Sequence, residues 1–337
     1  MKYHYTLILM LTCFLTSTTS LSQDIHFSQF FEAPLYRNPA LAGLIDGDVR
    51  IQGVYRTQWN SIAKAYKTTS FNAEYKLHLT SDDYLTIAAQ MLHDKAGSTN
   101  LTTTHFLPAI NYHKSLSSDK NIYLSIGFMG GFVQRRIDRS KMTTNSTYEG
   151  SGDGESDLLQ SHYSYFDGST GISLNAQLSD NPEDMLVLGA AYHHFNKPKN
   201  SFFNNEKVAV PAKLVFSADA KLALDDQFIT TVHNDFVKQD SYHEIISGAL
   251  LGYKMGPYTE DSYTLLSLGV FYRWSDAFIP VVQLDYSSLS FSLSYDVTSS
   301  QLTSLNYGKG GFELGVTYTG FLNREYSTIN ATKCPRF

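Results

Sequence analysis

The chain has 337 residues, a formal net charge of −6 and only 17% charged residues. That length suffices for a large core or a closed barrel, and the acidic balance excludes nucleic acid as a partner, because phosphate binding needs a basic surface. Aromatics make up 14%, with 23 Tyr against 21 Phe, a balance that suits apolar surface ending at water, as at a membrane interface.

Residues 1–22 read as a secretory signal peptide. Lys2 and His4 give the polar start, and Leu7 to Leu15 form an apolar core too short to span a bilayer as a helix. Ser20 and Ser22 place cleavage before Gln23. Cys13 falls inside the apolar core, too early for a lipoprotein signal. Cleavage leaves Cys334 as the one cysteine, so the fold cannot rest on an internal disulfide. No later run approaches the ~18 apolar residues of a membrane helix. An exported chain without such a helix is a soluble secreted β-protein or an outer-membrane β-barrel.

Residues 23–47 come next, opening with "QDIHFSQFFEAPLYRNPALAG". The segment is neither an amphipathic helix nor a clean strand. Pro34 and Pro39 bias Ala33 and Asn38 toward extended backbone. Phe27, Phe30, Phe31 and Tyr36 are too many aromatics to leave in water together. The segment is therefore expected in the periplasm or folded into a lumen. It either plugs the barrel or seals its rim, or it presents a short linear docking site. Phe27, Ser28, Gln29, Pro34, Leu35, Tyr36, Asn38 and Pro39 are the candidate residues for both roles.

From Asp48 onward the dominant period is two. In "LSFSLSYDV", Leu289, Phe291, Leu293, Tyr295 and Val297 share one face, and Ser290, Ser292, Ser294 and Asp296 the other. About fourteen such segments follow, beginning near Arg50, Thr68, Tyr84, Thr102, Asn121, Tyr165, Asp184, Ala212, Gln227, Tyr242, Tyr263, Ala277, Leu289 and Gly311. The connections alternate between short turns and longer loops, the longest being 138–164, 196–211 and 298–309. All the longest share one parity, as in barrels with short periplasmic turns and long outer loops. The expectation is a transmembrane antiparallel outer-membrane β-barrel of about fourteen strands over residues 48–320, followed by a periplasmic tail over 321–337. Lipid tolerates no open sheet edge, so polar alternates face a lumen. Arg50, Arg56, Glu74, Lys76, Asp285, Asp296 and Glu313 are the candidate lumen charges. Closure sets Glu313 beside Arg50 or Arg56, a contact read first as lumen packing and second as part of a substrate pathway.

Little in the chain points to chemistry. There is no G-x-S-x-G elbow, H-E-x-x-H or Walker loop. Ser117 to Lys120 has an S-x-x-K spacing but falls in a tight turn. His193 and His194 alternate faces on a strand and so cannot chelate together. The acidic stretch Glu149 to Asp157 lacks an EF-hand spacing and reads as a solvated loop. No catalytic residue, metal site or cofactor is expected.

Several blocks resemble the PorP/SprF family of Bacteroidetes outer-membrane proteins, linked to type IX secretion and gliding motility. They are Gln23, Asp24, Phe27, Ser28, Gln29, Pro34, Leu35, Asn38, Pro39, Ala40, Ala42 and Gly43, then Tyr55, Arg56, Gln58 and Trp59. Also similar are His194, Asn196, Lys197 and Pro198, the run Ser294 to Tyr318, and the ending Cys334, Pro335, Arg336 and Phe337. Ile25 departs from the opening pattern, which carries Pro. The resemblance implies an outer-membrane barrel of a Gram-negative bacterium that helps export or anchor a cognate surface protein with a type B sorting domain. For one relative it implies work with periplasmic ring proteins. The terminal Cys334–Phe337 is a candidate partner contact. The residues themselves leave open two alternatives, a small-solute porin and an outer-membrane hydrolase.

Overall fold

A chain whose side chains alternate apolar and polar makes two-faced strands, and in hydrocarbon such strands must pair on both edges. The computed structural model describes residues 24–58, 66–79, 82–117, 119–142, 160–203, 205, 207–256, 264–299 and 309–321. The leader with Gln23, Trp59, the acidic stretch 149–157 and the C-terminal contact Cys334–Phe337 lie outside them. Fourteen strands form a closed antiparallel barrel in which each pairs with its sequence neighbours and the last with the first. They are β1 (Val49–Gln58), β2 (Tyr66–His78), β3 (Tyr84–Ala96), β4 (Leu101–Ser117), β5 (Ile122–Arg136), β6 (His162–Gln177) and β7 (Met185–His193). The circuit continues through β8 (Lys213–Ala223), β9 (Phe228–Gln239), β10 (Tyr242–Met255), β11 (Thr264–Arg273), β12 (Ala277–Tyr286), β13 (Leu289–Thr298) and β14 (Lys309–Gly320). Closure runs from Val49 opposite Gly320 to Gln58 opposite Gly311, without a break in register.

The outer face is an apolar belt. Ile51, Phe71, Ile87, Ile110, Phe128, Ile172, Leu251, Phe291 and Leu314 are among its exposed members. Exposed apolar surface on this scale is stable only against lipid. The strand ends joined by the longest connections (Arg136 and His162, His193 and Lys213, Thr298 and Lys309) share one end of the barrel, called here the long-loop end.

Residues 24–45 run through the lumen and join β1 at the opposite, short-turn end. Three short turns fold this stretch: 3-10 turns at Phe30–Glu32 and Pro39–Leu41, and one helical turn at Pro34–Arg37. Pro34 and Pro39 each open a turn, where the missing N–H costs nothing. Asn38, ahead of Pro39, is extended at φ −161° and ψ 121°, as the proline ring demands. Its Oδ1 accepts from the Ala40 N–H at 2.8 Å and its Nδ2 donates to the Ile172 carbonyl at 3.1 Å.

The wall is notched to receive this turn. A Cβ on Gly171 would lie 1.9 Å from Asn38 Oδ1, and one on Gly127 2.5 Å from the Ala40 nitrogen. Gly43 ends the turn at φ +79° and sits where a Cβ would strike Thr86 at 1.9 Å, so only glycine fits on both counts.

Candidate functional site

The interface between residues 24–45 and the barrel wall is lined with buried polar and charged groups. At the long-loop end, Asp24 Oδ2 lies 2.8 Å from His194 Nε2 and 2.8 Å from Lys213 Nζ. His194 Nδ1 in turn lies 2.8 Å from Asp167. Burial opposes charge on both partners. Lys213 and His194 nevertheless hold the Asp24 carboxyl well below its ordinary range, and Asp24 and Asp167 raise His194 to about 9. Both ring nitrogens of His194 thus face carboxylates, an arrangement that favours its charged form.

His193 and His194 correct the expectation that they face opposite ways. β7 ends at His193, and His194 turns inward at φ +56°. Both rings are buried: His193 bonds Ser169 at 3.0 Å and the Arg37 carbonyl at 3.2 Å. They share no ligand geometry, since each ring already has separate partners.

One turn further along, the Glu313 carboxylate accepts the backbone N–H groups of Ser28 and Gln29 at 2.6 and 2.8 Å. Arg56 pairs with the same carboxylate, donates to Ser28 Oγ, and reaches Asp296 at 3.0 Å; Arg273 reaches Asp296 at 2.7 Å. The register sets Arg56 opposite Glu313, and Arg50 opposite Glu74. Arg50 binds Glu74 at 2.7 Å, and Glu74 also accepts the Gly43 N–H at 2.8 Å. Lys76 donates to the Ile45 carbonyl at 2.9 Å. Asp285 is buried in the lumen wall beside Gln283, 3.2 Å away.

Arg37, Glu32 and the apolar wall patch that receives Phe30 and Phe31 were not singled out from the sequence. Arg37 is clamped by Asp219 at 2.6 Å and Asp235 at 2.5 Å, a fork that satisfies both carboxylates in a fully buried setting. Glu32 is buried and accepts from Gln52 at 2.6 Å and Thr317 at 3.2 Å. Phe30 and Phe31 enter an apolar patch of the wall formed by Ile246, Leu250, Phe271, Ala277, Ile279 and Val281. The available signal was "AFIPVV" in β12, apolar on both faces, which no water-filled lumen requires.

The named candidates of the segment all make such contacts or pack. Phe27 packs with Ala33, Val54 and Leu92, and lies edge-on to Tyr36 at 6.1 Å. Leu35 packs with Ala42, Ala88, Leu107, Ala109 and Met129. Tyr36 donates to the Ile25 carbonyl at 2.6 Å, with Lys213 Nζ 4.4 Å above its ring. Between this segment and β8–β10 a cavity of about 60 Å³ remains, bordered by Ile25, Phe30, Tyr36, Val215 and Ile246.

A sequence model for the type IX secretion system membrane protein PorP/SprF matches residues 19–318. The chain belongs to the PorP/SprF family. Its blocks that carry the resemblance meet in space: Asp24 of the opening block binds His194 of the middle block, and Ser28 and Arg56 share Glu313. No curated protein matches the chain. Among solved structures, the toluene transporter TbuX of Ralstonia pickettii is similar at a TM-score of 0.50 and 12% identity, over 85% of this chain and 92% of that one. The P. putida toluene transporter TodX is similar at 0.45 and 12%, over 85% and 93%. At 12% identity the likeness to TbuX is one of fold alone.

The Asp24–His194 contact makes docking of the Asp24 end of the segment depend on pH. His194 is raised on docking, so its contribution is complete below its ordinary value of 6.5 and is lost as pH rises through about 9. Asp24 is lowered, so its contribution is present above its ordinary value of 3.8 and is lost as pH falls through its depressed value. Docking should be tightest between those two ordinary values. A spin label at His26→Cys, with Cys334→Ser, is expected to be immobile at pH 6 and mobile near pH 10; equal mobility at both would remove the latch.

Proposed function

We propose that this PorP/SprF protein acts without enzymatic chemistry in the outer membrane of a Gram-negative bacterium. In this reading it helps to export or anchor a cognate cell-surface protein of the type IX route, one carrying a type B sorting domain. The observation that carries this reading is the filled lumen. A small-solute channel needs a continuous water-filled path, and here residues 24–45 occupy the lumen through paired charges and packed aromatics. The long loops and the rims of the barrel are then the surfaces left for a partner. Membership of a secretion family supports protein handling over solute uptake. The buried Ser169–His193 contact sets a hydroxyl against an imidazole, but the second ring nitrogen meets the Arg37 carbonyl rather than an orienting carboxylate, which speaks against the hydrolase alternative.

The test is the surface and culture-medium proteome of a deletion strain beside its parent. Loss of one or a few sorting-domain proteins from the surface is the expected result and names the client. Loss of every type IX client makes the protein a core component that works with the periplasmic ring. An unchanged surface with reduced solute uptake replaces this reading with the porin.

A further inference from the structure

Strand register arranges the outward side chains of β2–β6 in rows around the barrel. Toward the long-loop end the apolar belt finishes in one row: Phe71, Met91, Phe106, Phe132 and Phe166, each opposite the next. Two residues further out stands a row of hydroxyl, imidazole and amide groups running from Thr69 to Ser164. Within it His93 Nδ1 lies 2.9 Å from Thr104 Oγ1. The next row is Lys67, Lys95, Thr102, Arg136 and His162, again direct cross-strand neighbours. Lys67, Lys95, Arg136 and His162 are exposed.

Like charges on neighbouring strands repel, so three permanent cations in one row are costly unless an anion sits over them. Among the described residues no carboxylate pairs with them. Asp94 turns inward to Thr68 at 2.7 Å, and Asp138 pairs with Lys141 at 3.0 Å. At the short-turn end of the same wall the outward Lys114 is neutralised by Asp83 at 2.8 Å.

Height fixes what the cations can meet. Lys67 is four residues beyond Phe71, about 10 Å along the membrane normal for a strand tilted by roughly 40°. That is the headgroup layer, above the hydrocarbon. From Lys67 to His162 the row spans four strand spacings, about 19 Å. This is wide enough for a sugar headgroup bearing more than one phosphate.

We propose that the outward face of β2–β6 at the long-loop end binds the phosphorylated headgroup of an anionic outer-leaflet glycolipid. Lys67, Lys95 and Arg136 take the phosphates, and the row from Thr69 to Ser164 takes sugar hydroxyls. The inference rests on the outer-membrane placement above, with the long loops outside. It is independent of any client protein.

The test is native mass spectrometry of the purified mature protein with lipopolysaccharide and with the same preparation after phosphatase treatment. The wild type is expected to bind the phosphorylated form at least tenfold more tightly. Lys67→Gln/Lys95→Gln/Arg136→Gln is expected to lose at least tenfold for that form and nothing for the other. These exposed side chains lie outside the packed lumen, and heat-modifiable electrophoretic mobility checks that the variant is folded. Lys238→Gln, exposed on β9 across the barrel, should bind as wild type. Equal binding of both lipid forms, a triple variant that binds as wild type, or an equal loss from Lys238→Gln would each overturn the proposal. None of these outcomes bears on whether a surface protein is lost from the deletion strain.

Discussion

Arg37→Met should release the N-terminal segment from the lumen while leaving the barrel closed. The methionine fits the volume but removes the only cation among the described residues that pairs with Asp235, and leaves Asp219 with its contact to the His233 ring at 2.9 Å. Breaking a buried ion pair on one side costs about 3–5 kcal/mol, because the remaining charge is stranded in a desolvated site. At about 1.4 kcal/mol per factor of ten, that is roughly two to three and a half orders of magnitude in the docking equilibrium. The strand ladder does not depend on it, since β1 pairs with β14 over the whole of β1 without the segment. Hydrogen exchange at the Ser28, Gln29 and Gly43 amides is the readout, because each donates to a wall carboxylate. Their protection should collapse while that of the strands persists. Adding Asp235→Asn removes the stranded charge and should restore part of the protection. If Arg37→Met leaves those three amides protected, the fork is not what holds the segment.

Much of this arrangement could be read from alternation, and the part that could not has a definite cause. All fourteen strands begin within three residues of the positions expected from period two. One-sided burial against lipid makes that period strict: a slip by one residue would put Ser292 and Asp296 in hydrocarbon. Inside the barrel no such rule operates. Lumen positions accept a carboxylate, a glycine or a phenylalanine according to which part of residues 24–45 lies opposite. Gly171 is small because Asn38 is there, and Phe271 is apolar because Phe30 and Phe31 are there. The partner of each wall residue lies up to 285 positions away in the chain, beyond the reach of any local pattern. Arg37 carried a faint signal as a lone cation in an aromatic segment, but nothing local tied it to Asp219 and Asp235. The histidine pair failed for a different reason: the alternation rule was extended one residue past the end of β7.

Deleting residues 24–45 should convert a non-conducting barrel into an open channel. The intact protein in a planar bilayer is expected to show no steady unit conductance, since its lumen charges are spent on one another and on the segment. Without the segment, the wall presents Arg56, Arg273, Glu313, Asp296, Asp219 and Asp235 to water, a polar lining of the kind that carries ions. Asp219 and Asp235, relieved of Arg37, would favour cations over anions at mid-height. The patch of Phe271, Ile279 and Val281 would face water as well. It lies on one side only, so it narrows the path without dewetting it. Stable unit events from the deletion variant, absent from the parent, are the result that makes the segment the stopper. Conductance from the intact protein would put the porin reading in first place. A silent deletion variant that still shows a folded barrel would mean that residues 24–45 are not what closes the lumen.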